Sequence, residues 1–153
     1  MEYTSLNMTA EFEGCRLKSY QDSGGVWTIG YGHTHGVGPG QECTLEQARE
    51  WLRQDMAWAV AIVNHTLNGA GVKATQGLFD ALCDFVFNVG SRVFLNSTFL
   101  RSIFHGDLDA ACAGILLYCH DHTGEVLPGL ESRRRAEVKL IDPTYLTRHG
   151  LEA

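Results

Sequence analysis

No stretch of this 153-residue chain approaches the ~18 consecutive apolar residues of a membrane-spanning helix, which excludes a helical membrane span. Positive charge is also scarce: 12 Lys and Arg stand against 18 Asp and Glu, for a net charge of −6. Neither half compensates, since residues 1–75 carry 5 basic against 8 acidic side chains and residues 76–153 carry 7 against 10. No basic face is therefore large enough to bind nucleic acid. The opening MEYTSLNMTAEFEG lacks the basic start and apolar core of a secretory signal, so no export route of its own is expected. CxxC pairs are absent, and the five cysteines (Cys15, Cys43, Cys83, Cys112, Cys119) make an odd count. Cys83 and Cys112 fall in apolar helical patterns and read as small buried residues. Reduced thiols are the expectation, with a Cys15–Cys43 or Cys112–Cys119 bridge left open.

What remains is an ordinary globular composition, 44% hydrophobic and 20% charged, long enough for one domain or two small lobes. One stretch stands out, EGCRLKSYQDSGGVWTIGYGH from Glu13 to His33. Two runs with strand character, Arg16–Gln21 and Val26–Tyr31, flank Asp22-Ser23-Gly24-Gly25, and glycines after Asp and Ser supply the positive φ of a hairpin turn. Folded so, the stretch gathers Glu13, Asp22 and Thr28. An acid, a second carboxylate and a water-positioning hydroxyl suit glycosidic bond cleavage. Glu13 closes a helix read over residues 1–13 and ended by Gly14, and a helix C-terminus favours a protonated carboxyl.

Glu13, Asp22 and Thr28 at this spacing, inside EGCRLKSYQD and WTIGYGH, resemble the catalytic signature of the phage-type lysozymes, the endolysin muramidases. Later segments follow the same order over about residues 6–142. The resemblance implies an α+β, mostly helical fold: a lysozyme-like pair of lobes with a small hairpin lobe, a long connecting helix and a helical C-terminal lobe. The lobes are expected at about residues 13–60 and at 1–12 plus 61–153. It also implies hydrolysis of the β-1,4 bond between N-acetylmuramic acid and N-acetylglucosamine. Glu13 would be the acid, while Asp22 would stabilise positive charge and orient water with Thr28. An inverting outcome needs carboxyls roughly 6.5–9.5 Å apart. No metal or organic cofactor is implied. The partner is the peptidoglycan glycan strand, met by a monomer that leaves the host cytoplasm for the periplasm and cell wall through a holin. A lytic transglycosylase and a non-catalytic wall-binding phage module are the alternatives.

Further along, His33 and His35 would share one face of a strand, but no third ligand stands at metal spacing. The family pattern instead pairs a structural His33 with Asp55; Thr34, next to it, is a candidate substrate contact. Thr44-Leu45-Glu46-Gln47 is a capping box opening a helix that reaches about Asn64, roughly 30 Å for its 20 or so residues. Trp51 and Trp58 read as core. Thr75 caps a strongly apolar helix over Gln76–Val89, the buried centre of the helical lobe. Phe87 and Asn88 at its end read either as substrate contacts or as core and cap. Ser97 is an N-cap, a substrate contact, or both. Asp107 caps a helix over Leu108–Tyr118. Gly129-Leu130-Glu131-Ser132-Arg133-Arg134-Arg135-Ala136-Glu137 is similar to the family's GLxxRRxxE segment. There Arg133 or Arg134 reaches Glu13 or the substrate cleft, or else the arginines form a solvated basic patch.

Overall fold

The computed structural model describes residues 1–152. The chain is mostly helical with one two-stranded antiparallel sheet, and it divides into two compact units, Ser5–Trp58 and Met1–Thr4 with Ala59 onward.

In the first unit, α1 (Leu6–Glu13) is shorter than the 1–13 expectation. Gly14, at φ 69°, donates its N–H to Ala10 O and turns the chain into β1 (Arg16–Gln21). β2 (Trp27–Gly30) pairs back antiparallel, with Gln21 opposite Trp27 and Tyr20 opposite Thr28. Arg16 pairs with Gly30, so β1 carries extra residues between Arg16 and Tyr20. Such a bulge bends a strand and re-aims its side chains. The loop after β2 returns along β1: Cys43 N–H donates to Leu17 O and Ser19 N–H to Gln41 O, both at 2.9 Å. Helix α2 (Leu45–Asp55) opens with both hydrogen bonds of the Thr44–Gln47 capping box in place. Gly30 lets the sheet sit directly on α2. A Cβ there would lie 3.1 Å from Ala48 Cβ, and its φ of 67° suits only glycine.

The expected continuous helix to Asn64 is corrected. α2 stops at Asp55 and α3 runs over Ala57–Gly69, with Met56 as a turn between them. No Pro or Gly stands there, and Met is a good helix former. The interruption coincides with two tertiary anchors: Met56 is buried, and the Asp55 carboxylate is bonded to His33.

The second unit begins with a strap. The Met1 ammonium donates to Asn64 Oδ1, Gln76 Nε2 to Glu2 O, and Thr4 N–H to Asp80 Oδ1. Of the residues 1–12 expected in this unit, only Met1–Thr4 fall in it. Met1, Glu2 and Thr4 bond to side chains of α3 and α4 (Gln76–Val89), whereas Asn7 on α1 takes Arg49 of α2. Thr75 caps α4 as expected, and all nine residues from Leu78 to Val86 are buried. α5 (Ser91–Leu95), α6 (Thr98–Phe104) and α7 (Leu108–Ile115) follow. α8 (Pro128–Ile141) crosses α4 at Gly77, where a Cβ would fall 1.9 Å from Leu140 O. α7 ends three residues before Tyr118, whose ring leaves the helix to meet Phe85 and Phe99 edge-on. A short α9 (Tyr145–Arg148) follows Pro143.

All five cysteines are free thiols. Burial pushes the Cys112 thiol up to about 12 and raises that of Cys83 further, so neither is a nucleophile at neutral pH. No helix among the described residues is long and apolar enough to cross a membrane.

Candidate active site

The hairpin unit carries the acid pair. Glu13 ends α1 half-buried, directly before the Gly14 turn into β1. It comes to the open end of the hairpin: a methyl group on Gly32, just past β2, would stand 4.0 Å from Glu13 Oε2. Asp22 lies at the turn, exposed. Its Oδ1 accepts the N–H groups of Gly24 (2.8 Å) and Val26 (2.9 Å), while Asp22 N–H donates to Val26 O and Gly25 N–H to Asp22 O. Among the described residues Oδ2 takes no hydrogen bond. Thr28 is one residue pair from the turn and only 4% exposed. Its hydroxyl donates to Val26 O at 3.0 Å, which spends the proton and leaves Oγ1 an acceptor.

That arrangement has a chemical consequence. Asp22 Oδ2 and Thr28 Oγ1 are both acceptors beside one turn, and a water donating to both would keep a lone pair for an electrophilic carbon.

His33 holds the exit of β2. Its backbone exchanges both hydrogen bonds with Ile29 at 2.9 Å, its Nδ1 is 2.8 Å from Asp55 Oδ2, and its ring stacks on Trp51 at 4.8 Å and 8°. The His33–Asp55 pairing therefore stands, and Trp51 packs as expected. Trp58 does not: it is 43% exposed, a correction to the core reading. Thr34 and His35 are exposed. No group of three or more His, Cys, Asp or Glu among the described residues is placed to hold a metal.

The remaining expected residues lie in the helical unit. Phe87 and Asn88 are half-buried in the last turn of α4. Ser97 is buried and serves as N-cap of α6, donating to Phe94 O and accepting from Leu100 N–H. The solvated-patch reading of the arginines is overturned. Arg133 is 4% exposed and grips Asp84 through Nε and Nη2 at 2.8 and 2.9 Å. Arg134 is fully buried, with Nη2 donating to Glu137 Oε1 and Asn88 Oδ1 at 2.8 Å each, and its guanidinium lies over the Phe85 ring. Burial pushes the Glu137 carboxyl well above the usual carboxylate range, against the pull of the Arg134 charge. Asp84 and Glu137 were missed as partners. A usable signal existed: Asp80 and Asp84 interrupt an otherwise apolar helix, and acidic residues are almost never fully buried unless paired.

The profile of the phage lysozyme family, described as "Phage lysozyme", matches residues 10–137. An endolysin of Acyrthosiphon pisum secondary endosymbiont phage 1 is 39% identical over 140 residues, covering 90% of this chain and 94% of its own. The endolysin of Salmonella phage P22 is 37% identical over 134 residues, covering 84% and 88%. Among solved structures, the muramidase domain of SpmX from Asticaccaulis excentricus superposes with a TM-score of 0.84 at 32% identity, covering 92% of this chain and 97% of that one.

Proposed function

This chain belongs to the phage lysozyme family and is a lysozyme-type hydrolase that degrades peptidoglycan, and from that premise we propose that it cleaves the β-1,4 bond between N-acetylmuramic acid and N-acetylglucosamine. Glu13 protonates the departing glycosidic oxygen. Asp22 offsets positive charge growing at the anomeric carbon. Asp22 Oδ2 and Thr28 Oγ1 each accept a hydrogen bond from the attacking water, which passes one proton to the Asp22 carboxylate as its oxygen bonds to carbon and keeps the other as the new hydroxyl. Water attack opposite the leaving group inverts the anomeric centre. Thr34, Phe87 and Asn88 contact the glycan.

The observation that carries this reading is the pair of uncommitted acceptors at one turn. Asp22 Oδ1 is consumed by backbone N–H groups and the Thr28 proton by Val26 O, so what both side chains have left to offer is acceptance. In the same reading the host cell lyses when a holin opens the inner membrane to the enzyme.

Outer-membrane-permeabilised cells test the proposal. The protein should clear them with release of new reducing ends, and Glu13→Gln should abolish clearing while still binding wall. Anhydro-sugar ends without reducing ends would identify a transglycosylase, and binding without clearing by the unaltered protein a non-catalytic module. Expression alone should leave cells intact, and co-expression with a membrane-permeabilising protein should lyse them.

A further inference from the structure

The buried pair Arg134–Glu137 is an expensive object. Both side chains are fully excluded from solvent, and Arg134 Nε, Arg134 Nη1 and Glu137 Oε2 are buried without a hydrogen-bond partner. Desolvating such a pair commonly costs as much as its mutual attraction returns, so it is poor evidence for stability. What the pair does accomplish is local. A guanidinium has only donors, so the Asn88 atom 2.8 Å from Arg134 Nη2 must be the amide oxygen. The other proton of Nη2 goes to Glu137 Oε1, and Phe85 backs the guanidinium plane, so the arginine has little freedom to release Asn88. Asn88 Nδ2 has no partner among the described residues and belongs to a half-buried side chain in the last turn of α4.

We propose that Arg134, held by Glu137, is a positioning residue that locks the Asn88 amide in one of its two flips, so that Asn88 presents N–H donors only. An asparagine free to flip offers a ligand either a donor or an acceptor. This one selects an acceptor oxygen, and the strongest neutral acceptor on a peptidoglycan glycan is the acetamido carbonyl. The inference rests on the peptidoglycan-hydrolase reading above and deepens it by naming the sugar group that is read.

The tests use the whole protein and two readouts. First, the Asn88 side-chain amide protons, followed by NMR, should shift on titration with the trimer of N-acetylglucosamine and shift far less with the trimer of glucosamine. Unmoved amide protons, or equal shifts with both sugars, overturn the proposal whether or not the protein cleaves wall. Second, on soluble peptidoglycan fragments, Asn88→Asp keeps an acceptor for Arg134 but removes the donors. It should raise KM about tenfold with kcat changed less than about twofold, as expected for a lost hydrogen bond made equally in ground and transition states. Arg134→Gln, which lets Asn88 flip, should raise KM several-fold, and Arg134→Lys, a donor without acceptors, should recover most of that. An unchanged KM in Asn88→Asp with normal wall cleavage refutes the positioning role and leaves the hydrolase reading intact. Should Arg134→Gln fail to fold, the Asn88→Asp kinetics and the two-sugar titration still decide. Absence of cleavage by the unaltered protein sinks the hydrolase reading instead.

Discussion

Two turns in this molecule are built alike and differ in what surrounds them. At Asp22 and again at Asp121, the aspartate N–H donates to the carbonyl four residues on, at 2.9 Å in both. Its Oδ1 accepts from the second and fourth following N–H groups, at 2.8 and 2.9 Å for Asp22 and 2.8 and 3.0 Å for Asp121. A glycine in the third following place, Gly25 or Gly124, takes φ 81° or 88° and donates back to the aspartate carbonyl. An aspartate is thus what the turn itself asks for, and its presence at residue 22 is no evidence of catalysis. The difference lies in the neighbouring hydroxyl. Thr123 Oγ1 donates to Asp121 Oδ1 itself at 2.6 Å, closing the turn on itself. Thr28 gives its proton to a backbone carbonyl and keeps its lone pairs, in the unit that also holds Glu13. The lesson is that a side chain's committed hydrogen bonds, subtracted from its capacity, say more about function than its identity does.

The largest expected effect comes from exchanging charge without breaking either turn. An asparagine retains Oδ1 as acceptor, so Asp22→Asn should lower kcat by about 10³-fold while keeping the thermal midpoint, and Asp121→Asn should leave kcat unchanged. Equal losses at both positions would mean that Asp22 is only a turn residue. Removing the two hydroxyls comes next. Thr28→Val should lower kcat by about 10²-fold, from loss of one water-orienting acceptor, whereas Thr123→Val should leave wall clearing unaltered. Alanine at either aspartate should cost a few degrees in the thermal midpoint, and by similar amounts, because each leaves the same backbone N–H groups without their partner. The subtlest contrast is in acid. The Thr123 hydroxyl, followed by the backbone N–H groups, holds the Asp121 carboxyl below its ordinary 3.8. A depressed folded-state value stabilises the fold above the unfolded value and loses that contribution as pH falls below it. Melting curves of the unaltered protein and Asp121→Asn should therefore converge as pH is lowered from 5 towards 2. A gap that persists in acid would remove Thr123 as the cause.

Much of this was legible locally. The hairpin, its turn and the caps at Thr44, Thr75 and Asp107 depend on residues at most a few positions apart, and each was readable from spacing and residue type. The His33–Asp55 pairing spans 22 residues and came through family resemblance, since nothing near either residue names the other. Other features were not legible. Three arginines in a row look like a solvated face, yet Arg133 and Arg134 are buried because Asp84 and Glu137 meet them from α4 and α8. Trp58 has the composition of a core residue and sits in solvent.

The sequence by itself determined where the chain turns, which segments are helical and that an acid, a carboxylate and a hydroxyl stand near one hairpin, because short-range sterics and hydrogen bonds set those. Only the tertiary structure decided that the helix breaks at Met56, that the arginines are buried ion-pair partners, and which lone pairs and protons remain uncommitted. Burial and long-range pairing depend on which distant surfaces meet, and no local spacing encodes that.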